Sequence, residues 1–265
     1  MRRLCLLILL LAIPLHAQSL FPRFSITGGT SASSFDTAAR IDPETAGEQG
    51  TVVSFENDLG LEDSRTLQRF SAQWRPFERH ELAASFFSAP REGIEQIDRE
   101  IVFRDEVYRA QALVTTEFDL DYRSLTYTYW ARRSDRDGFG ITLGVAALAM
   151  DASVTAERFG ESVTVTQRAD TDVPVALAGV QGRLAVTPRV HLEGSVSMLP
   201  SVTIEDYTGT AVNAGARLEY RPLPWLGIGA AYNYFRLDVD VAQSDLRGTL
   251  EQAIQGPEAY LRLAF

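Results

Sequence analysis

Apolar and polar side chains alternate along most of this chain, and short polar segments separate the alternating runs. In residues 67–75, Phe70, Ala72 and Trp74 share one parity, whereas Arg, Ser and Gln occupy the other. The same alternation recurs in 139–145, 190–198, 213–221 and 226–234. Successive side chains of a β-strand point to opposite faces, so each run predicts a strand with one apolar and one polar face. Because no segment shows a convincing helical period, we predict an all-β protein.

The predicted turns between these strands fall into two classes. Tight turns are predicted at 76–79, 133–138, 187–189 and 222–224. Longer polar segments lie at 38–64, 101–109, 157–171, 199–208 and 239–248. Short turns at one end and long loops at the other are typical of an antiparallel up-and-down transmembrane β-barrel, whose short turns face the periplasm.

This pattern predicts a barrel of about ten strands with both termini at the end of the short turns. The predicted strands are 22–37, 65–76, 80–100, 110–131, 139–156, 172–187, 189–199, 208–222, 225–238 and 249–265. An alternative of about eight strands stays open, because residues 27–34 are small and the first hairpin is the least strongly specified.

The N-terminal segment has the order of a secretory signal peptide. Arg2 and Arg3 precede an apolar run at 4–15, and Ala17 follows as a small residue, so we predict cleavage after Ala17. The run is shorter than the roughly 20 residues that a membrane-spanning helix needs. We therefore predict a signal peptide at 1–17 and one barrel domain at 18–265, located in the cell outer membrane.

Two groups of residues near the predicted short turns indicate how the barrel inserts into the bilayer and contacts its interface. The segment 258–265 alternates, with Leu261, Leu263 and Phe265 on one face, which is typical of the final strand that outer-membrane barrels present for insertion. All three tryptophans fall beside predicted periplasmic turns. We predict that they form an interfacial aromatic girdle, which comprises Trp74, Trp130 and Trp225.

The predicted fourth strand changes parity near its middle. Phe118, Leu120 and Tyr122 share one face, whereas Leu125 and the tyrosines after it share the other. Either a β-bulge near Arg123 reverses the faces, or the upper half of the strand leaves the bilayer. We favour the second interpretation, because the carboxylates around Phe118 and Leu120 make that half too acidic for lipid.

Charged residues on the polar faces would point into the lumen. The predicted lumen charge network comprises Arg69, Arg75, Glu81, Arg183, Glu193, Arg217, Glu219, Arg221 and Arg262. A ten-stranded barrel is only slightly wider than the eight-stranded kind that side chains nearly fill, whereas open porins need about 16 strands. We therefore expect interleaved guanidinium and carboxylate groups to plug the lumen.

Several segments carry a resemblance beyond the alternating pattern. They are 53–61, 73–75 with 80–82, 118–129, and the final Phe265. With these segments the chain resembles the small, mostly uncharacterised outer-membrane β-barrel proteins of Gram-negative proteobacteria, in the size class of OmpW- and OmpA-like barrels. The resemblance spans most of the mature chain and implies a barrel without an assigned reaction. Fold-level analogy does not extend to activity.

Residues that could support catalysis are few. After cleavage only His80 and His191 remain, and both follow predicted periplasmic turns. Outer-membrane proteases and lipid A deacylases, which this chain resembles in size, need a His near the outer rim. No nucleophile elbow, phosphate-binding loop or HExxH pair is present, and the loop carboxylates lack the spacing of a calcium loop. We therefore predict no enzyme, no catalytic residue, no metal site and no cofactor.

The charge balance limits the partners. The formal net charge of −10 becomes about −12 when Arg2 and Arg3 leave with the signal peptide. An acidic surface disfavours nucleic acid, so the expected partners are outer-membrane lipid, lipopolysaccharide and the barrel assembly machinery. Two functions stay open: a structural or interaction barrel with a filled lumen and acidic extracellular loops, and a narrow channel or transporter for small molecules. The oligomeric state stays open as well.

Overall fold

The computed structural model describes residues 19–42, 50–96, 101–103, 106–108, 113–157, 164–204, 207–242 and 247–265. The predicted signal peptide and its cleavage point lie outside these residues. None of the described segments forms a helix that is long and apolar enough to cross a membrane.

The described residues form strands that follow one another around a single sheet, apart from one small separate hairpin. The strands are β1 (Phe24–Asp42), β2 (Val53–Ser54), β3 (Ser64–Phe77), β4 (His80–Ser88), β5 (Arg91–Gln96), β6 (Ile101–Phe103), β7 (Glu106–Tyr108), β8 (Leu113–Arg133), β9 (Asp137–Glu157), β10 (Thr164–Ala185), β11 (Val190–Ile204), β12 (Tyr207–Leu223), β13 (Leu226–Ala242) and β14 (Arg247–Ala264).

The sheet closes into a ten-stranded antiparallel barrel, which confirms the predicted fold. β14 pairs with β1 from Ser25↔Ala264 to Asp42↔Arg247, so the wall has no free edge at this seam. β4 and β5 both pair with β8 and together make the third wall strand. The eight-stranded alternative is wrong, because β1 pairs on both of its sides despite its small residues.

The four predicted tight turns all join neighbouring strands, at 78–79, 134–136, 186–189 and 224–225. We call this end of the barrel the turn end and the opposite end the loop end. The third predicted strand, 80–100, is interrupted after Ser88. Its break falls at Ala89 and Pro90, where proline cannot donate a hydrogen bond to the sheet.

The strands reach further toward the loop end than the polar segments suggest. The predicted loops at 157–171, 199–208 and 239–248 are largely strand, because β10, β11 and β13 extend into them. β9 and β10, for example, stay paired without interruption from Gly138↔Arg183 to Glu157↔Thr164. Polar composition here marks a strand whose outer face meets water, and it does not mark the end of backbone pairing.

The face of the wall that carries apolar side chains changes along the strands, from the outside to the inside of the barrel. β9 shows this best: residues 137–145 belong to what we call the turn half, and residues 146–157 to the loop half. In the turn half Ile141 and Leu143 point outward and Thr142 is buried in the lumen. In the loop half Leu148 is buried inside, whereas Asp151 is exposed outside.

The parity change in β8 has the same origin. β8 pairs with β9 without a register shift from Leu113↔Glu157 to Trp130↔Gly140, so no bulge lies at Arg123. Phe118 and Leu120 point inward in the loop half, and Leu125 points outward in the turn half. The bulge alternative is therefore wrong, and the barrel interior itself changes from polar to apolar.

Only part of the predicted aromatic girdle faces outward. Trp74 and Trp225 are 52% and 43% exposed on the outer surface near the turn end. Trp130 is 0% exposed and points into the lumen, so its assignment to the girdle is wrong. Its parity on β8 matches that of buried Thr128, which places it inside however close it lies to the turn.

Candidate functional site in the barrel lumen

Ion pairs between Arg and Glu cross the lumen in the turn half. The Arg183 guanidinium donates two hydrogen bonds to Glu81, at 2.8 and 2.6 Å, in a bidentate arrangement. Its Nε also donates to Glu193 Oε2 at 3.1 Å. Since the Arg183 and Glu81 side chains are almost completely buried, this pair is a rigid strut between β10 and β4.

A second set of pairs extends the network around the wall. Glu219 accepts from Arg221 Nε at 2.5 Å and lies 3.5 Å from Arg262 Nη1. Arg262 Nη1 also lies 3.8 Å from Glu193, which joins the two sets. We call this connected group the floor network, and its members are Glu81, Arg183, Glu193, Glu219, Arg221 and Arg262.

Three of the nine predicted lumen residues stand apart from the floor network. Arg75 lies nearer the turn end and donates to backbone carbonyls, at 2.6 Å to Phe21 and 3.3 Å to Pro22. Arg69 stacks its guanidinium carbon 4.2 Å from the centre of the Phe87 ring, and Arg217 lies 5.8 Å from that of Tyr260. The structure therefore brings six of the nine together and leaves the other three with different partners.

A short segment before β1 closes the turn end. Phe21 is buried and packs edge-on against Trp130, with ring centres 4.8 Å apart. Arg221 Nη1 donates to the Ser19 carbonyl at 2.6 Å, and Arg183 lies 4.6 Å from the Trp130 ring. Trp130 thus provides the surface against which this segment packs, on the turn-end side of the floor network.

An apolar core fills the loop half of the lumen. Buried residues from the wall and from the segment after β1 form one cluster: Phe35, Val53, Phe55, Leu59, Leu61, Leu67, Phe87, Ala89, Val114, Phe118, Leu120, Tyr122, Ala146, Leu148, Met150, Val175, Leu177, Ala211, Phe235, Leu237, Val239 and Ile254. The buried Phe55 ring meets that of Phe118 edge-on, with ring centres 5.4 Å apart. We call residues 50–63 the loop plug, because their apolar side chains complete this core.

A buried ion pair holds the loop plug in place. Arg91 Nη1 donates to Glu56 Oε1 at 2.5 Å, and its Nη2 donates to the Thr37 hydroxyl at 2.9 Å. Thr37 in turn donates to Gln252 at 3.1 Å, and the Arg91 guanidinium stacks 4.4 Å from the centre of the Phe35 ring. Burial lowers the pKa of Arg91, and the Glu56 carboxylate opposes that shift. The plug is therefore tied to both sides of the barrel wall.

A polar cavity of about 170 Å³ remains between the floor network and the apolar core. Hydroxyl, amide and charged side chains line it, among them Ser195, Ser197, Asn213, Arg69, Arg217 and Glu258. The turn half thus contains solvent-sized space, with the floor network on one side of it and the apolar core on the other.

The two histidines lie on opposite faces of the wall. His80 Nδ1 lies 2.7 Å from the Tyr127 hydroxyl on the outer face. His191 is buried inside, and its Nδ1 has no hydrogen-bond partner within the described residues. Both lie beside turns at the turn end. In the described ranges no group of three or more His, Cys, Asp or Glu residues could hold a metal ion.

The outer surface of the loop half is acidic. Exposed carboxylates there include Glu92, Glu95, Glu117, Asp119, Asp151, Asp240 and Glu251. Some of them face like charges across the sheet: Glu92 pairs in register with Glu117, and Asp119 with Asp151. Below this region the exposed surface is apolar, with Ile141 as one of many examples. The exposed surface is thus divided into an apolar belt and an acidic extension.

Sequence reasoning missed the two closures that flank the floor network. Leu20 and Phe21 precede the first strand, and nothing in the alternation marked them as lumen residues. The plug residues Phe55 and Leu59 belonged to a segment that we expected to be a polar loop. A usable signal was the inward parity of Phe118 and Leu120, because an apolar interior wall needs apolar partners.

Comparison with solved structures finds outer-membrane β-barrels among the similar proteins. The outer membrane protease OmpT of Escherichia coli is similar, with a TM-score of 0.60 and 9% sequence identity over 91% of this chain and 96% of that protein. The toluene transporter TodX of Pseudomonas putida has a TM-score of 0.34 at 7% identity, covering 90% of this chain and 89% of TodX. The attachment invasion locus protein Ail of Yersinia pestis has a TM-score of 0.31 at 11% identity, covering 90% and 98%.

These comparisons establish architecture and leave activity aside. No family model and no curated protein matches the sequence. At 9% identity the likeness to OmpT shows the fold alone, and the TM-scores of TodX and Ail are too low to support an argument. Closed antiparallel pairing, an apolar outer belt and this likeness agree: the chain has the fold of an outer-membrane β-barrel, which points to the bacterial outer membrane as its location.

Proposed function

We propose that this protein is a non-conducting outer-membrane barrel with a structural or interaction role, and that it exposes a rigid acidic extension outside the cell. The observation that carries this proposal is that the lumen is filled twice along its axis. The floor network and Phe21 fill it at the turn end, and the apolar core with the loop plug fills it at the loop end.

The free energy needed to open either closure supports a lumen that stays closed. Opening the turn end would break the bidentate Arg183–Glu81 pair and leave buried charges unpaired, which typically costs about 3–5 kcal/mol. Opening the loop end would expose apolar side chains such as Phe55 and Leu59 to water, at about 1.5–3 kcal/mol for each. Neither closure is a lone side chain that thermal motion could displace easily.

The orientation and partners follow from the architecture of such barrels. We place the turn end in the periplasm and the loop end outside, since outer-membrane barrels have short periplasmic turns. In this arrangement the apolar belt contacts outer-membrane lipid, and the extension rises beside lipopolysaccharide. Leu261, Leu263 and Phe265 are exposed on the outer face, where the barrel assembly machinery would recognise them during insertion.

The acidic extension is the surface that we assign to interaction. Its carboxylates repel the phosphates of lipopolysaccharide unless divalent cations bridge them. They favour cationic partners instead, and screening by salt weakens that attraction. We expect no hydrolase activity, because neither His80 nor His191 hydrogen-bonds a carboxylate or a serine within the described residues.

A narrow channel is the second candidate, and the polar cavity favours it. A cavity of about 170 Å³ lined by hydroxyl and amide groups is what remains of a permeation path when both of its ends are shut. For this candidate at least one closure must open under working conditions. The two candidates therefore differ in the behaviour of the closures.

Planar-bilayer conductance of the refolded protein tests the proposal, with one variant for each closure. The floor variant combines Glu81→Ala, Arg183→Ala and Phe21→Ala, and the plug variant combines Phe55→Ser and Leu59→Ser. Because the closures act in series, we expect the wild type and both variants to be silent and the combined variant to conduct. An Arg123→Gln variant, which changes an exposed outer residue, is the matched control and stays silent.

Small, defined current steps in the wild type would overturn the proposal in favour of the channel. Conductance in the floor variant alone would show that the plug opens by itself and would contradict a doubly closed lumen. Each protein is first checked for folding by its heat-dependent migration in gel electrophoresis, so that silence is not mistaken for a failure to fold.

A further inference from the structure

The charges around the polar cavity do not balance. In the floor network three arginines face three glutamates. The cavity above it is lined by two further arginines, Arg69 and Arg217, and by one further glutamate, Glu258. Buried charges in proteins are normally paired, because transfer of an unpaired charge out of water is costly. Taken together, the floor network and the cavity lining therefore contain one more arginine than glutamates.

Within the described residues neither cavity arginine forms a direct ion pair or donates a hydrogen bond, although Glu258 lies near enough to attract Arg69, and Glu193 to attract Arg217. Arg69 Nε is shielded from solvent and has no hydrogen-bond acceptor, and its guanidinium carbon lies 4.2 Å from the centre of the Phe87 ring. Arg217 contacts the Tyr260 ring at 5.8 Å and forms neither a hydrogen bond nor an ion pair with the described part of the chain. Both residues line the cavity, and their Nη groups make no hydrogen bond within the described part of the chain.

The carboxylate in the cavity is already engaged. Glu258 is 6% exposed and accepts a hydrogen bond from Asn233 Nδ2 at 2.6 Å. Glu193, which also lines the cavity, is shared between Arg183, Arg262 and Gln181. The protein's own carboxylates thus leave Arg69 and Arg217 without a direct partner.

The positions of the two arginines suit a ligand held between them. Arg69 lies on β3 and Arg217 on β12, with β13, β14 and β1 between these strands on the shorter way around the barrel. They reach the same cavity from well-separated parts of the wall. Asn213 and the hydroxyls of Ser195 and Ser197 add neutral hydrogen-bonding groups to the lining. Several water molecules or one small anion fit a cavity of this size.

We propose that the cavity binds one small oxyanion of the size of phosphate or sulfate, with Arg69 and Arg217 as its charged ligands. Guanidinium groups bind such anions with pairs of charge-assisted hydrogen bonds. Glu258 opposes binding by repulsion and limits the affinity. This inference goes beyond the proposed function and does not depend on it, because the site is the same in a silent barrel and in a conducting one.

Equilibrium dialysis with radiolabelled inorganic phosphate tests the site in the refolded full-length mature protein. Because side chains lie across the lumen on both sides of the cavity, one arm supplies phosphate during refolding and the other supplies it afterwards. We expect saturable binding of one phosphate per barrel in at least one arm. Arg69→Gln and Arg217→Gln should each weaken the affinity by about tenfold or more, since each removes a charge-assisted contact.

Two matched variants make the result specific to the cavity. Arg123→Gln removes an arginine from the outer surface and should leave phosphate binding unchanged. Glu258→Gln removes the opposing charge and should bind phosphate more tightly than the wild type, although it also alters the cavity wall. A general loss of structure would weaken binding in every variant, so the opposite direction for Glu258→Gln separates a ligand site from a merely structural role.

Three outcomes would overturn the proposal. They are the absence of saturable binding in both arms, equal affinity in the wild type and the two arginine variants, and a loss of affinity on replacing Glu258. As an independent measure, phosphate should raise the thermal unfolding midpoint of the wild type and of Arg123→Gln, and should raise that of Arg69→Gln by less at the same phosphate concentration. Sulfate at equal ionic strength should compete, whereas chloride should not.

Discussion

The same strands place apolar and polar side chains on opposite faces in the two halves of the barrel. In the turn half the outer face is apolar and the lumen contains ion pairs, whereas in the loop half the outer face is acidic and the lumen contains an apolar core. β9 shows both arrangements: Ile141 points outward in the turn half, and Leu148 points inward in the loop half. The comparison shows that the solvent outside the wall decides what can lie inside it.

The physical reason is that each half has a different source of stability. The turn half is surrounded by lipid in the proposed setting, so burying apolar residues in its lumen would gain little over leaving them outside. Its interior can be polar, provided that the charges are paired. The loop half stands in water and needs a hydrophobic core, as a soluble domain does.

Replacing Leu148 with Asp should have the largest effect. The side chain is 0% exposed in the apolar core, so the substitution buries a carboxylate without a partner. We expect a loss of more than about 5 kcal/mol, enough to prevent folding of the loop half. Urea unfolding followed by far-ultraviolet circular dichroism, which reports strand content in both halves, checks this. Asp151→Leu, on the outer face of the same half, should unfold near the wild-type midpoint; equal damage from both would contradict the inverted arrangement.

Replacing Arg183 with Ala should be the next most damaging change. It leaves Glu81 without its bidentate partner inside the lumen, which predicts a loss of about 3–5 kcal/mol in the free energy of unfolding. Adding Glu81→Gln should recover part of that loss, because it removes the charge left unpaired. If the double variant is less stable than the single one, the floor network is not held together by this pair.

Replacing Ile141 with Arg tests the outer face of the turn half. This residue is 49% exposed in the apolar belt, and an arginine near the middle of a bilayer costs about 2–4 kcal/mol in such barrels. Asp151→Arg, on the same strand in the acidic extension, should cost about 0–1 kcal/mol. Refolding into liposomes under a urea gradient gives both values. Similar costs at the two positions would mean that the belt does not end where we place it.

The smallest effect is expected from the ion pairs on the acidic extension. Arg236 contacts Asp238 at 2.9 Å and Glu251 at 3.1 Å, but its side chain is well exposed. Arg236→Gln should therefore cost less than about 1 kcal/mol and should matter less as salt is added. A salt-independent loss of stability comparable to that of Arg183→Ala would remove the distinction between surface and lumen pairs.

Periodicity was enough to predict the wall of the barrel but not its depth profile. The ten strands and four turns follow from alternation, because the period of two is imposed by backbone geometry wherever a face is buried. Alternation gives the parity of a side chain, and therefore Trp130 was misplaced when its distance from a turn was used instead of its parity. It also does not say at which height the outer medium changes, so the apolar core around Leu148 was not anticipated.

The candidate site, like the wall, could be predicted from the sequence only in part. Residues of one parity near the turns, such as Glu81 and Arg183, could be assigned to the lumen in advance. Which of them would pair depends on the closure of the barrel, since Arg183 and Glu81 are far apart in the chain. Phe21 and Glu56 lie outside the long strands and reach the lumen through tertiary contacts that no local pattern records.

The height at which the wall changes character also determines how the protein sits in its membrane. Sliding the barrel along the membrane normal would draw Asp151 and its neighbours into hydrocarbon or would wet residues such as Ile141. The barrel therefore has little freedom to adapt to a thicker or thinner bilayer. Apart from a change of tilt, hydrophobic mismatch is taken up by the surrounding lipid, which stretches or compresses around the belt.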